Sequence, residues 1–165
     1  MPTTNSVNSS NSHIQTVSVD YATYTTITGV IPFDDTIPQS GEGTEIFSLA
    51  FTPKFANSIL EISLSLPAQN GPSAGLYTIA LFQDAGADAI AANQWAGSWA
   101  GANACAFNDF YLKHIMIAGT TAATTFKVYL GSNNAANKWY TNGYSTARTY
   151  GGIMHATLII NEYVP

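Results

Sequence analysis

Charged side chains are scarce in this chain of 165 residues. Only 9% of residues are Asp, Glu, Lys or Arg, against roughly 25% in ordinary soluble domains. Ten carboxylates oppose five cationic side chains, and no two cationic residues are adjacent in the sequence. Because nucleic-acid binding depends on clustered Lys and Arg, this distribution argues against a nucleic-acid partner. Low charge with 46% hydrophobic residues suits a fold whose surface is partly buried in subunit contacts.

Cysteine is nearly absent as well. With Cys105 alone, an intrachain disulfide and a four-cysteine zinc site are both excluded, and we interpret this residue as a small buried hydrophobe. The N-terminus lacks the basic and apolar regions of a signal peptide, and no apolar run approaches the roughly 18 residues of a membrane span. We therefore expect a protein made in a cytoplasm, without a membrane partner, that leaves the cell only as part of a larger assembly.

The first nineteen residues contain no charged side chain, and eleven of them are Ser, Thr or Asn. Such a segment cannot bury enough apolar surface to order itself. We interpret residues 1–19 as an extended polar arm whose backbone pairs with a partner protein or a sister subunit. The candidate partner-binding residues of this arm are Val7, His13, Ile14 and Val17.

Residues 20–165 are predicted to form a single all-β domain. The clearest signal lies at 60–66, where Leu and Ile alternate with Glu and Ser as in a half-buried strand. Further strands are predicted within 21–30, 47–51, 76–82, 110–117, 126–130 and 153–164. Residues 85–104 are predicted to be a long loop, because three glycines interrupt the helix-forming alanines. The pattern predicts a jelly-roll-like antiparallel β-sandwich with an extended N-terminal arm.

No spacing of residues indicates catalysis. Asp34 and Asp35 are adjacent, so on a strand they would point to opposite faces, and we expect them to cap backbone N–H groups in an irregular loop. Asp84 and Asp88 lack the third nearby carboxylate that a calcium loop needs. Neither zinc-site spacing nor a positioned catalytic pair links the three histidines, which are His13, His114 and His155. We therefore predict no enzymatic activity, no cofactor and no metal site.

Aromatic residues are the remaining candidates for binding. Aromatic side chains exposed in loops can stack on sugar rings or anchor a protein interface. Six of them fall in segments predicted to be loops or loop-edge strands: Trp95, Trp99, Trp139, Tyr140, Tyr144 and Tyr150. The alternative is that these side chains fill the ends of the sandwich or a subunit contact, in which case they would not bind a glycan.

Residues 31–45, IPFDDTIPQSGEGTE, resemble the opening motif of a family of small phage virion domains. Members of this family end tail fibres or occur as short stand-alone proteins. The resemblance covers roughly residues 25–165 and continues through Thr52 and Pro53, 81–84, 118–121, 125–128, 148–152, and Glu162 and Tyr163. It implies a virion component with a β-sandwich fold that forms a homotrimer, and it carries over no catalytic residue.

Two functions are compatible with this resemblance. The first is a homotrimeric capsid cement or decoration protein, assembled into the virion in the host cytoplasm, whose arms reach the major capsid protein. The second is the receptor-binding tip of a tail fibre, with the arm joined to the fibre shaft and the loop aromatics bound to host surface glycan. We favour the first because a short chain with an uncharged arm suits it. A sugar-binding module or an enzyme unrelated to virions is a weaker third hypothesis.

Overall fold

The computed structural model describes residues 12–71, 75–97, 107–145 and 147–164. These residues form short and long β-strands and one 3-10 turn at Tyr150–Gly152. The strands are β1 (His13–Tyr21), β2 (Thr25–Ile27), β3 (Thr44–Phe51), β4 (Ile59–Asn70), β5 (Gly75–Gln83), β6 (Ala91–Gly97), β7 (Phe107–Ile117), β8 (Thr124–Ser132), β9 (Trp139–Thr141), β10 (Gly143–Tyr144), β11 (Ala147–Arg148) and β12 (Ala156–Tyr163).

The strands form two antiparallel sheets that pack face to face. Sheet A has the order β1-β12-β4-β7, and sheet B has the order β3-β8-β5-β6. The short strands β2 and β9 extend sheet A beside the C-terminal end of β4, and β10 and β11 form a separate hairpin. Eight main strands in two sheets with this order are the arrangement of a jelly roll. The predicted all-β, jelly-roll-like sandwich is therefore confirmed.

Alternation along the strands creates the core between the sheets. In β4, Leu60, Ile62 and Leu64 point inward and are at most 3% exposed, whereas the polar residues between them point outward. Sheet B contributes inward-facing side chains from three strands: Phe47, Leu49, Ile79, Leu81, Phe126, Val128 and Leu130. Each such side chain contributes about 1.5–3 kcal/mol when it is fully buried. The core thus depends on strands that are far apart in the sequence.

The first strand corrects the predicted boundary of the N-terminal arm. Residues 13–21 pair along their length with β12 of the same chain, and Val17, Val19 and Tyr21 pack against the core. Residues 13–19 therefore belong to the sandwich and are not an arm. Their alternation of apolar and polar residues was the relevant signal, and the Ser- and Thr-rich composition obscured it. An arm that extends away from the sandwich would therefore begin before His13.

Strand β6 corrects a second prediction, because it lies within the segment that was predicted to be a loop. Ala91–Gly97 pairs with β5, and Trp95 is opposite Tyr77. Alanine, asparagine and glycine have poor intrinsic β propensity, so the hydrogen bonds and side-chain contacts offered by β5 decide the conformation. Residues 98–104 of that segment lie outside the described residues.

The chain between β2 and β3 crosses the outer face of sheet B, and we call residues 28–43 the strap. Ile31 anchors the strap, with its side chain 1% exposed beside Ala80 and Phe82. Its backbone N–H also donates a hydrogen bond to the carbonyl oxygen of Ser132 at 3.0 Å. A Cβ atom at Gly131 would lie 2.5 Å from Cγ1 of Ile31. Glycine at that position therefore allows the strap to lie directly on the sheet.

Two truncations test the corrected boundary. Deleting residues 1–11 is expected to leave the free energy of unfolding nearly unchanged, because all of β1 remains. Deleting residues 1–19 removes Val17 and Val19 from the core and the hydrogen bonds along β12, so the loss is expected to be about 3 kcal/mol or more. Urea denaturation followed by circular dichroism measures both. Equal midpoints for the two truncated proteins would show that β1 does not stabilise the sandwich.

Candidate interaction surfaces

A buried carboxylate of the motif, Glu162, joins the loop that follows Thr52 and Pro53 to the first and last strands. The side chain of Glu162 is inaccessible to solvent. Its Oε1 accepts hydrogen bonds from the N–H groups of Lys54 (2.8 Å) and Phe55 (3.3 Å) and from the hydroxyl of Ser58 (2.5 Å). Its Oε2 accepts one from Nε2 of Gln15 at 2.6 Å. Glu162 therefore ties the loop between β3 and β4 to β1 and β12.

These contacts keep Glu162 ionised. Burial by itself would raise the pKa of the carboxyl, but the hydrogen bonds from Ser58, Lys54, Gln15 and Phe55 outweigh burial and hold the pKa below its usual value of 4.5. A buried charge is tolerated when several donors surround it, as they do here. Both oxygens of the Glu162 carboxylate therefore accept hydrogen bonds that stabilise the fold.

A pair of hydrogen bonds joins two other motif segments, at the end of β5 and the start of β8. The N–H of Asp84 donates to the carbonyl oxygen of Thr125, and the N–H of Thr125 donates to Oδ1 of Asp84, both at 2.7 Å. Asp88 accepts a hydrogen bond from Nε2 of Gln39 at 2.9 Å, which connects the turn after β5 to the strap. Within the described ranges no three His, Cys, Asp or Glu side chains are grouped as metal ligands would be. Asp84 and Asp88 act here as structural acceptors.

The first carboxylate of the Asp34-Asp35 pair has a local structural role. Oδ1 of Asp34 accepts hydrogen bonds from the hydroxyl of Thr36 (2.5 Å) and from its N–H (2.9 Å). Both hydrogen bonds lower the pKa of Asp34, and the bond from the Thr36 hydroxyl has the larger effect. The predicted capping of a backbone N–H is confirmed for Asp34. It shapes the exposed part of the strap.

The structure divides the predicted loop aromatics. Trp139 is fully buried, and its ring centroid lies 5.2 Å from that of Tyr77 and 4.7 Å from that of Phe110. Tyr140 is only 8% exposed, and Trp95 is half-buried against Phe110. Pairing of β9 with β4 carries Trp139 and Tyr140 into the sandwich, which sequence patterns around a short strand did not reveal. Trp139 and Trp95 therefore fill the end of the core, as the alternative interpretation held, whereas Tyr140 is buried outside the core cluster.

Exposed aromatics remain on the segment after β9, and we call residues 142–155 the distal loop. Tyr144 is 47% exposed and Tyr150 is 76% exposed. Nδ2 of Asn142 donates to the carbonyl oxygen of Tyr21 at 2.7 Å, so the distal loop lies at the end of the sandwich where β1 ends. Trp99 lies outside the described residues.

The N-terminal segment joins the sandwich at the opposite end. His13 pairs with Tyr163, and the two rings meet edge to face with centroids 5.7 Å apart. The N–H of Val164 donates to the carbonyl oxygen of Ser12 at 3.0 Å. Since β1 spans roughly 30 Å, the start of β1 and the distal loop are separated by the length of the sandwich. Of the predicted arm contacts, His13, Ile14 and Val17 lie in β1, and Val7 lies outside the described residues.

An apolar surface lies beside this N-terminal end, on the outer face of sheet A. Ile117, Ile59 and Tyr163 are directly opposite one another on β7, β4 and β12. Ile115 is 58% exposed and Ile117 is 56% exposed, and an open depression of about 260 Å³ is lined by Ile59, Glu61, Ile115 and Tyr163. We call Ile59, Ile115, Ile117 and Tyr163 the apolar patch. The apolar run in β7 predicted a strand, but sequence alone did not show that one face of that strand is left uncovered.

A substitution at Glu162 tests its role in closing the fold. Because the folded-state pKa lies below 4.5, the carboxylate contributes stability above that pH, and the contribution is lost as the pH falls through the folded-state pKa. Glu162→Gln is expected to lower the free energy of unfolding by about 1–3 kcal/mol at neutral pH, and to reduce its loss on acidification.

Urea denaturation at pH 7 and at pH 3 measures both effects. Glu61→Gln is the matched control, because Glu61 is on the outer face of sheet A and pairs with Lys113. Equal stability of the Glu162 variant and the control at neutral pH would contradict the assigned role.

The comparisons with known proteins add no relative. No family model matches this chain, and no curated protein matches it. None of the described residues forms a helix that is long and apolar enough to cross a membrane. Function must therefore be inferred from three features of the structure. These are the motif carboxylates that stabilise loops, the apolar patch at the N-terminal end of the sandwich, and the exposed tyrosines of the distal loop at the opposite end.

Proposed function

We propose that this chain is a non-enzymatic structural protein of a phage particle, a homotrimeric capsid cement or decoration protein attached through the segment that precedes His13. The observation that carries the proposal is the division of the molecule into two ends. The N-terminal segment joins the sandwich beside the apolar patch, and the distal loop lies at the other end. A protein built in this way can attach at one end and present the other to solvent.

The use of the motif carboxylates supports a structural role. Asp34, Asp84 and Glu162 each accept hydrogen bonds from backbone N–H groups of neighbouring segments. Carboxylates engaged in this way stabilise loops and are not held free for acid–base chemistry. The resemblance of residues 31–45 to phage virion proteins supports a place in the phage particle. A homotrimer would carry three copies of the attachment segment. Three weak contacts on one trimer bind far more tightly than one.

A quantitative mass-spectrometric measurement of copy number in purified phage particles tests the proposal. A copy number comparable to that of the major capsid protein is expected for a cement protein. A number far below it would place the chain in the tail, and its absence from the particle would overturn the proposal of a virion protein.

Truncation tests the attachment segment. Deleting residues 1–11 is expected to leave the sandwich folded and to abolish binding to particles that lack the protein, because only the attachment segment is removed. Co-sedimentation with such particles measures binding, and circular dichroism provides the control for folding. Undiminished binding of the truncated protein would exclude this segment as the anchor.

The receptor-binding tip of a tail fibre is the second candidate function, and the exposed tyrosines of the distal loop favour it. Tyr150 is among the most exposed large side chains of the described residues, and aromatic rings in such positions can stack on sugars. In this arrangement the N-terminal segment would join the fibre shaft, and the distal loop would face the host surface.

Cell binding tests this second candidate. If the distal loop binds glycan, Tyr150→Ala should weaken binding of the purified protein to host cells by roughly tenfold, as for loss of an aromatic anchor. Phe33→Ala, on the strap and also exposed, is the matched control. The wild-type protein should also compete with phage for adsorption. If the wild-type protein does not bind cells, the distal loop is not a receptor-binding surface.

A further inference from the structure

We infer that the distal loop binds a saccharide that carries a carboxylate, and that Arg148 is the residue that binds this carboxylate. The inference rests on the second candidate function, in which the distal loop binds host surface glycan, and it names the chemical class of that glycan. Three features of the distal loop support it. These are the backbone conformation of Tyr150, the position of the Arg148 guanidinium, and the exposed apolar side chains beside them.

Tyr150 has an unusual backbone conformation for a large residue. Its φ is 50°, in the left-handed region that bulky side chains rarely adopt, and such a conformation costs about 1–3 kcal/mol. Asn142 has a similar φ, but its side chain donates hydrogen bonds to the carbonyl oxygens of Tyr21 and Thr23. The Tyr150 side chain is 76% exposed and has no hydrogen bond or ring contact with the residues that the structure describes. Its conformation therefore indicates a role at the surface of the protein.

Arg148 packs against the same turn. A Cβ atom at Gly152 would lie 2.7 Å from Nη1 and 3.1 Å from Cζ of Arg148, so the guanidinium rests directly on the Gly152 backbone. Gly152 also has a φ of 90°, which favours glycine at this position. The turn Tyr150–Gly152 thus carries an exposed phenol ring and supports a guanidinium.

The Arg148 guanidinium forms no ion pair within the part of the chain that the structure describes. Lys113 and Lys127, by contrast, lie beside Glu61 and Glu45. A guanidinium is a planar fork of N–H donors, and a carboxylate can accept two parallel hydrogen bonds from it. The geometry of Arg148 therefore suits a ligand with a carboxylate.

Two carboxylates of the protein lie near this end of sheet A, and both have partners there. Oδ1 of Asp20 accepts a hydrogen bond from the Thr157 hydroxyl at 2.8 Å and lies 3.8 Å from Nε2 of His155. Oδ1 of Asp109 accepts a hydrogen bond from the Ser65 hydroxyl at 3.1 Å. Because these carboxylates offset the cationic charge at this end, an anionic ligand would be bound through short-range contacts with the guanidinium and not through long-range attraction.

Exposed apolar side chains lie on both sides of the turn in the sequence. Ile153 is 81% exposed, and Tyr144 is 47% exposed on β10, the strand that pairs with the strand of Arg148. Rings such as those of Tyr144 and Tyr150 offer a flat apolar surface with a polar end, on which the apolar face of a pyranose can stack. A saccharide with a carboxylate would contact both the tyrosines and the guanidinium, whereas a neutral saccharide would leave the guanidinium unused.

Hydrogen bonds hold the distal loop on the sandwich. The N–H of Ser145 donates to Oε1 of Gln69 at 2.9 Å, and the hydroxyl of Tyr24 donates to the carbonyl oxygen of Ser145 at 3.0 Å. Further along, Nδ1 of His155 donates to the carbonyl oxygen of Ile153 at 2.9 Å. A loop that is already ordered loses less conformational freedom when a ligand binds. These contacts therefore favour the distal loop as a binding surface.

The test is binding of the purified full-length protein to polysaccharide extracted from the surface of host cells, measured by biolayer interferometry. Three forms of the polysaccharide are compared: native, with its carboxylates reduced to alcohols, and with its phosphates removed. The wild-type protein is expected to bind the native and phosphate-free forms equally, and the carboxyl-reduced form at least tenfold more weakly. Arg148→Gln should weaken binding to the native form by roughly tenfold or more. Arg148→Lys should lose most of the same affinity, because a lysine keeps the charge but not the paired hydrogen bonds.

Lys54→Gln is the matched control, because it removes the same charge from an exposed residue at the N-terminal end of the sandwich. It should bind like the wild-type protein, and all variants should keep the wild-type circular dichroism spectrum and melting temperature. The inference is overturned if carboxyl reduction leaves wild-type binding unchanged, if only removal of phosphate weakens it, or if folded Arg148→Gln binds like the wild-type protein. Glycan binding, and with it the second candidate function, would survive each of these results. If the wild-type protein binds neither host cells nor the native polysaccharide, the second candidate function fails as well.

Discussion

Pairing of the last strand between the first strand and β4 is the interaction on which the rest of this structure depends. Residues 157–163 of β12 pair with β1 on one side and with β4 on the other. Sheet A therefore cannot be completed until the C-terminal residues are present. Glu162 reinforces this closure, because its carboxylate accepts hydrogen bonds from Gln15 and from the loop before β4. Such long-range pairing predicts slow folding relative to helical proteins of similar size.

The same closure creates the surfaces that bear on function. It sets Tyr163 beside Ile59 and Ile117, which completes the apolar patch. It also brings His13 next to Tyr163, so β1 begins at the edge of the apolar patch. The motif residues thus contribute to function indirectly. They fix the sandwich so that its outer faces can serve as contacts.

The two faces of the sandwich differ in a way that composition does not reveal. The formal charge of −5 shows that the chain is acidic, but it does not show where the carboxylates lie in the folded protein. In the folded protein, six of the ten carboxylates lie on the strap, on β3, or at the end of β5 and in the turn that follows, whereas the outer face of sheet A carries Asp20, Glu61, Asp109 and Lys113. The acidic strap remains on the opposite side.

The sequence by itself determined the fold class, because alternation at 60–66 and in 126–130 requires a surface that is buried on one side only. It also indicated that Asp34 caps the loop that follows. Only the tertiary structure decided that residues 13–19 are a strand, that Ala91–Gly97 is another, and that Trp139 belongs to the core. The physical reason is that each of these depends on a partner strand distant in sequence. The hydrogen bonds and apolar contacts of that partner override the weak β propensity of Ala91–Gly97, and they order residues 13–19, whose alternation was compatible with a strand but did not identify its partner. Exposure of Ile115 and Ile117 is decided in the same way, because an apolar strand does not indicate which of its faces another sheet will cover.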